Sequence, residues 1–237
     1  MDDLIYLDHC SSTNDEVASF LLYPDSNFIA VHTFNQTKGR GQYGNLWESV
    51  AGKNLAYSLA VDCESVKVSH FLFNYYTAVL VREFIAKLTD QAVKIKWPND
   101  IILHNKKVSG ILLEKKKINE NQYFIIGIGI NVLQEKFDEI SNAGSLLTQT
   151  TVQFELKKFA EDFHVFITQN LRSIPSEVEI LKRFNENLFK KDEISVFEKD
   201  GFRQNGIIRS ADENGEIHIE FEEGMKTFYH KEIKLLY

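Results

Sequence analysis

Several stretches of the chain gather residue types that handle anions. The first is Gln36-Thr37-Lys38-Gly39-Arg40-Gly41-Gln42-Tyr43-Gly44-Asn45-Leu46-Trp47. Glycines let backbone N–H groups approach a phosphate, and Lys38 and Arg40 add charge-assisted donors. Gly39, Gly41 and Gly44 formally match G-x-G-x-x-G, yet a dinucleotide site needs that loop to open a helix within a βαβ unit. Here a second glycine-containing loop, Ser49-Val50-Ala51-Gly52-Lys53, follows, and then a strand. Taken alone, the stretch reads equally as an anion-binding loop or as a flexible hairpin with incidental charges.

Lys96-Trp97-Pro98-Asn99-Asp100 is the second stretch. Pro98 fixes its own φ and pushes Trp97 into an extended conformation, so the neighbouring groups hold a defined geometry. An ammonium beside a carboxylate at a strand end suits a phosphate-plus-metal site, with Lys96 on phosphate and Asp100 on Mg²⁺ or on a nucleophile. A plain turn with a solvent ion pair is the commoner source of such a pentapeptide. Lys107-Val108-Ser109-Gly110-Ile111-Leu112-Leu113-Glu114 then sets a lysine just ahead of a strand with a close-approach glycine. Residues 94–117 hold seven Lys and two acidic residues inside a chain of net charge −7. That reversal suits a polyanion such as a nucleoside triphosphate, although Lys115-Lys116-Lys117 reads more simply as a solvated turn.

In Gly127-Ile128-Gly129-Ile130-Asn131-Val132, small residues alternate along an apolar strand. A flat ligand could lie against such a backbone, with Asn131 offering its amide at the strand end; the alternative is a tightly packed central strand. Ser11-Ser12-Thr13-Asn14-Asp15-Glu16 supplies a choice of N-caps before a helix over Val17–Leu22. No H-E-x-x-H, Cys-x-x-Cys or G-x-S-x-G is present, and the seven histidines are scattered singly.

The elements that must position these groups follow from periodicity. The runs 27–34, 54–61, 92–96, 101–103, 108–114 and 123–130 read as strands, with a turn at His104-Asn105-Lys106. Residues 68–88 and 154–171 repeat apolar side chains at helical spacing. Ser176 with Glu179 is a capping-box signature ahead of a helix reaching about Leu188. From Asp192 brief alternating runs separated by turn residues predict four or five short strands closing into a small β-barrel. The fold class is thus α+β, with one domain over 1–187 and a small all-β domain over 188–237. The chain of 237 residues is 43% hydrophobic and 26% charged, ordinary for a globular protein. Two cysteines cannot frame disulfides and point to a reducing compartment. The acidic start Met1-Asp2-Asp3, with no basic stretch and apolar run, leads one to expect no signal peptide, and no apolar run approaches the ~20 residues of a membrane span. The expectation is a cytoplasmic protein without nucleic-acid or membrane affinity.

Taken in order, Ser12-Thr13-Asn14, Gln36…Gly39-Arg40-Gly41…Trp47, Lys96-Trp97-Pro98-Asn99-Asp100, Lys107…Gly110-Ile111-Leu112 and Gly127…Gly129-Ile130-Asn131 resemble the biotin protein ligase family. The likeness runs from about residue 4 to the C-terminus, because the small β-domain is similar to that family's SH3-like cap. The resemblance implies a mixed-sheet catalytic domain and an ATP-dependent, AMP-forming reaction in two steps. Biotin's carboxylate attacks the α-phosphate of ATP, and a lysine of a biotin carboxyl carrier protein then attacks the biotinyl-5′-AMP.

It implies that Lys107, Asp100 and Arg40 are catalytic, with Asp100 also a candidate Mg²⁺ ligand. Biotin would lie against Ser12, Thr13, Asn14, Gln36, Gly39, Arg40, Gly41, Lys107, Gly110, Gly127 and Gly129. ATP and the adenylate would meet Arg40, Gln42, Trp47, Lys96, Asn99 and Asn131. Two departures stand out. Gln42 takes the place of a second loop arginine that helps members retain the adenylate, and Glu232-Ile233-Lys234-Leu235-Leu236 lacks the arginine some members carry near their end. Members that repress transcription place a winged helix ahead of Ser-Thr-Asn, for which Ser12 leaves no room, so no DNA binding is expected. The rival expectations are a lipoate or octanoate ligase of the same fold and a non-catalytic biotin-binding regulator. A monomer and a weak homodimer are equally open.

Overall fold

The computed structural model of the chain describes residues 3–21, 28–137 and 141–237. In chain order its elements are β1 (Asp3–Tyr6), α1 (Thr13–Phe20), β2 (Ile29–Thr33), β3 (Gly39–Arg40), β4 (Leu46–Trp47), β5 (Asn54–Asp62), α2 (His70–Thr89), β6 (Val93–Lys96), β7 (Asp100–Leu103), β8 (Lys106–Ile118) and β9 (Asn121–Asn131). Then come α3 (Leu146–Thr150), α4 (Leu156–Leu171), α5 (Glu177–Glu186), β10 (Ile194–Lys199), β11 (Phe202–Ala211), β12 (Ile217–Phe221), β13 (Gly224–Phe228) and β14 (Lys234–Leu236). Leu22 and Asn27, which the sequence put at the ends of a helix and a strand, lie outside the described residues.

Seven strands form one sheet in the order β1-β2-β5-β9-β8-β7-β6. Only β1 and β2 run parallel; the other neighbours are antiparallel, so the sheet is mixed. Its two faces are built differently, and strand alternation explains why. On β5, Leu55, Tyr57, Leu59 and Val61 point into the main core under α2, α4 and α5, as do Ile111 and Leu113 of β8 and Ile126, Ile128 and Ile130 of β9. The intervening residues are small: Ala56 and Ser58 pair with Gly129 and Gly127, and those glycines pair onward with Gly110 and Leu112. Away from this shallow patch the second face is closed by α1, where Val17 and Leu21 pack on Ile29, Val31, Ala60 and Ile125.

The expected turn at Lys115–Lys117 is corrected: β8 continues to Ile118 and pairs with β9 from Ser109 to that end. Alternation carries Lys116 to the α1 side, where it reaches Asp15, while Lys115 and Lys117 are exposed. Residues 36–47, which the sequence left open between an anion-binding loop and a flexible hairpin, contain the short hairpin β3–β4. The β7–β8 hairpin turns on His104 and Asn105, both at positive φ (47° and 62°), the geometry of a two-residue hairpin turn.

The second sheet is antiparallel, in the order β13-β12-β11-β10-β14, so β13 and β14 are its edges. The expected boundary at 187/188 falls between α5 and β10, and one apolar core runs across it, with Ile180 and Phe184 on one side and Leu188, Phe197, Ile208 and Ile217 on the other. No helix among the described residues is long and apolar enough to cross a membrane.

Candidate active site

The shallow patch of the main sheet is the floor of a cleft. Its walls come from the start of α1, the β3–β4 hairpin, the Trp97–Asp100 turn and, from the segment between β13 and β14, His230. Of the residues singled out above, Ser12, Thr13, Asn14, Gln36, Arg40, Gly41, Gln42, Trp47, Asn99, Asp100, Lys107, Gly110, Gly127 and Gly129 all line it. Gly39, Lys96 and Asn131 stand just behind.

One end of the cleft is a hydrogen-bonded polar network. Ser12 is the N-cap of α1, yet its side chain makes no capping bond, so its hydroxyl remains for the cleft. Gln36 Oε1 accepts from the Thr13 backbone N–H at 2.8 Å. Ser58 Oγ lies 2.7 Å from Thr13 Oγ1 and 2.5 Å from Asn14 Oδ1, and Asn14 Nδ2 donates to Glu114 Oε2 at 2.7 Å. Ser58, Thr13 and Asn14 are buried, and burial makes such a network rigid and particular about its ligand. Gly127 is where Asn14 closes down, since a Cβ there would fall 2.3 Å from Asn14 Oδ1.

The middle of the floor carries Trp47. Its indole lies on the glycines, so that a Cβ at Gly129 would sit 2.4 Å from Trp47 Cε2 and one at Gly110 3.1 Å from Trp47 Cζ3. The indole N–H is buried without a partner, and Lys107 Nζ lies 5.6 Å above the ring. A flat ligand seated on these glycines must therefore move the indole. Gly39 lets the hairpin close, its Cβ position being 2.4 Å from the Trp47 carbonyl oxygen. Arg40, meanwhile, makes a bidentate pair with Asp15 (2.5 and 2.9 Å) and lies 3.6 Å from Glu114. The Arg40 guanidinium holds the Asp15 carboxyl well below the usual carboxylate range.

The other end holds the charges. Lys107 Nζ is 2.6 Å from Asp100 Oδ1, and Lys96 Nζ is 3.8 Å from Asp100 Oδ2. Backbone bonds hold Lys107 in place: its N–H donates to the Asn142 carbonyl at 2.7 Å and its carbonyl accepts from Gly144 at 3.0 Å. Asp100 begins β7 after a cis Trp97–Pro98 peptide. Trp97 Nε1 donates to the Tyr75 hydroxyl at 3.0 Å, and Tyr75 stacks on Phe184 at 3.9 Å, which anchors the turn in the core. Asn99 spends its amide on the Ile111 carbonyl, so it serves as a brace as well as a wall. Lys96 turns away from the cleft, under the ring of Tyr237 at 5.5 Å, and burial pulls its ammonium below the ordinary range. Asn131 donates to the Gly144 carbonyl at 3.0 Å, and its buried Oδ1 has no partner.

Sequence reasoning missed Ser58, Glu114 and Asp15 as partners in the cleft, although strand alternation marks Ser58 as facing Gly127. It also missed His230, which lines the cleft and meets Trp97 edge-on at 5.7 Å. Burial lowers the His230 imidazole from its ordinary range. No run of residues around it signals a site.

A family model described as the biotin/lipoate A/B protein ligase family matches residues 7–131. The biotin–protein ligase 2 of Arabidopsis thaliana is 31% identical over 186 residues, covering 72% of this chain and 56% of that protein. The bifunctional ligase/repressor BirA of Escherichia coli is 28% identical, covering 84% of this chain and 64% of that protein. The chain thus spans 56–64% of the length of these curated relatives. Among solved structures, the biotin protein ligase of Aquifex aeolicus in complex with biotin and ATP superposes with a TM-score of 0.82 at 27% identity, covering 100% of this chain and 99% of that one.

Proposed function

Because the chain belongs to the biotin/lipoate A/B protein ligase family, we propose that it is an ATP-dependent ligase joining biotin to a lysine of a biotin carboxyl carrier protein through biotinyl-5′-AMP. The observation that carries this reading is the order of groups along one cleft. A donor–acceptor network of uncharged side chains (Thr13, Asn14, Gln36), backed by the Glu114 carboxylate, leads over a glycine floor to the Lys107–Asp100 pair. A ligand with a polar uncharged head, a thin apolar body and an anionic tail matches that order, as biotin does. A lipoyl or octanoyl chain offers nothing to the buried network, and leaving such groups unpaired is costly.

In the first step a carboxylate oxygen bonds to the α-phosphorus while the bond to the β-phosphate oxygen breaks and pyrophosphate leaves. Two anions must approach, so the site's task is to place them and neutralise repulsion. Lys107 does so by transferring its ammonium from Asp100 to the carboxylate and phosphate oxygens, and Arg40 by leaving Asp15. In the second step the acceptor amine attacks the acyl carbon and AMP departs. Asp100, released from Lys107, attracts and orients that amine. Asn131 Oδ1, buried and unpartnered, suits the exocyclic amine of adenine. No three His, Cys, Asp or Glu side chains cluster among the described residues. Asp100 would be the protein carboxylate that helps hold a Mg²⁺ brought by the triphosphate, and the ion would neutralise phosphate charge there.

The test is pyrophosphate release from Mg-ATP without any carrier protein, in the presence of biotin, lipoate or octanoate. A biotin-only burst near one equivalent is expected. Release with lipoate alone would transfer the chain to the sister activity, and none with any acid would leave a binding protein. Steady release after the burst would mean that Gln42 holds the adenylate loosely. Lys107→Ala should slow the burst by roughly 10²–10³-fold, the cost of removing one preorganised donor, with an unchanged melting temperature; a normal burst would remove Lys107 from the chemistry.

A further inference from the structure

A second groove opens beside the cleft, between the start of α2 and the second sheet. His70, Phe71, Asn74 and Tyr75 line it from α2, as neighbours three and four apart on a helix do, and Tyr229 lines it from just after β13. It meets the cleft at Gln42, Leu112 and His230, which line both. Asn74 is 6% exposed, and its Nδ2 donates to the Pro98 carbonyl at 3.3 Å, which fixes the amide's orientation. Its Oδ1 is then turned from Pro98 and has no partner. A buried acceptor without a donor is costly to leave unpaired, so this oxygen suits a ligand's N–H. The rest of the groove carries no Asp, Glu, Lys or Arg among the described residues, and its rim presents Phe71 and Tyr229, 45% and 49% exposed.

We propose that this groove receives the lysine-bearing segment of the acceptor protein, with Asn74 Oδ1 accepting one of its backbone N–H groups. The inference rests on the ligase reading above. An uncharged groove with exposed aromatic rims suits an apolar extended segment and offers nothing to a triphosphate. It also joins the cleft at His230, beside Asp100, which is the one carboxylate lining the cleft among the described residues. A lysine ammonium travelling inward therefore leaves neutral walls and meets an opposite charge beside the acyl carbon. Phe71 holds the groove's outer wall by lying on the Gly215 turn, where a Cβ would fall 2.4 Å from Phe71 Cδ1.

The experiment uses the full chain, the purified biotin carboxyl carrier domain of an acetyl-CoA carboxylase, and two variants. Asn74→Leu removes the acceptor oxygen. Tyr229→Ala shortens an exposed rim residue outside both α2 and the Trp97–Asp100 turn, so it separates acceptor binding from the loss of the Asn74–Pro98 hydrogen bond in Asn74→Leu. Both should raise the carrier's KM about ten-fold, the size of one lost hydrogen bond or aromatic contact, while changing the carrier-free pyrophosphate burst far less. An unchanged carrier KM in both variants, with the wild-type burst intact, overturns the groove and leaves the ligase reading standing. A rise in the KM for ATP or biotin in place of the carrier's would hand the groove to the small substrates and overturn the proposal equally. A wild-type chain with no burst fails the ligase reading itself.

Discussion

At Gly129 a single methyl group decides whether Trp47 can stay where it is. The methyl of Gly129→Ala would meet the indole at 2.4 Å, and the backbone gains by the change, since glycine is a poor strand residue. The fold should hold while the cleft is remade: calorimetry should show biotin affinity reduced about ten-fold or more, and thermal unfolding should show no loss of stability. Equal affinity would mean that ligand and Trp47 do not share this floor. Lys107, Asp100 and the glycines were legible because each sits in a short run whose chemistry is local. Ser58 and His230 were not, because their parts in the cleft come from the pairing of distant strands and from the second sheet's placement against the Trp97 turn.

Among the elements, α3 shows how a few residues position distant chemistry. Its N-cap, Ser145, is fully buried and forms a capping box with Thr148. The residue before it, Gly144, donates to the Lys107 carbonyl and accepts from Asn131. Ser145→Ala should cost about 1 kcal/mol of stability and should raise the KM for ATP more than that for biotin, because Asn131 and Lys107 both lean on this segment. Steady-state kinetics with each substrate varied checks the split; equal rises would detach α3 from the nucleotide end. The long helices and central strands were readable from their periods. The helix α3 has too few residues to show a period, and β1 and β14 are short edge strands whose pairing depends on a partner elsewhere in the chain. The lysine run 115–117 misled because charge suggested solvent, whereas alternation within β8 buries only one side.

For the molecule as a whole, acid is the informative stress. His32 is buried between the rings of Tyr6 and Phe34, at 5.3 and 5.5 Å, and burial pushes its imidazole down to about 4 from 6.5. The unfolded chain takes up that proton near 6.5 and the folded chain only near 4, so His32's contribution is full above pH 6.5. Between those values it falls by about 1.4 kcal/mol per pH unit, or about 3 kcal/mol in all. His32→Phe should flatten that slope in urea unfolding followed from pH 7 to pH 4.5. An undiminished slope would place the acid sensitivity elsewhere.

The chain has two tryptophans, and they lead different lives. Trp97 is tied by its N–H to Tyr75 inside the packed turn, whereas Trp47 has a buried N–H with no partner on a floor that a ligand would claim. Emission from Trp97 should therefore stay constant while that from Trp47 shifts to longer wavelength as its indole gains water. The protein carries its own optical gauge of how full its cleft is, and a titration could be followed by light alone, without a label or a coupled assay.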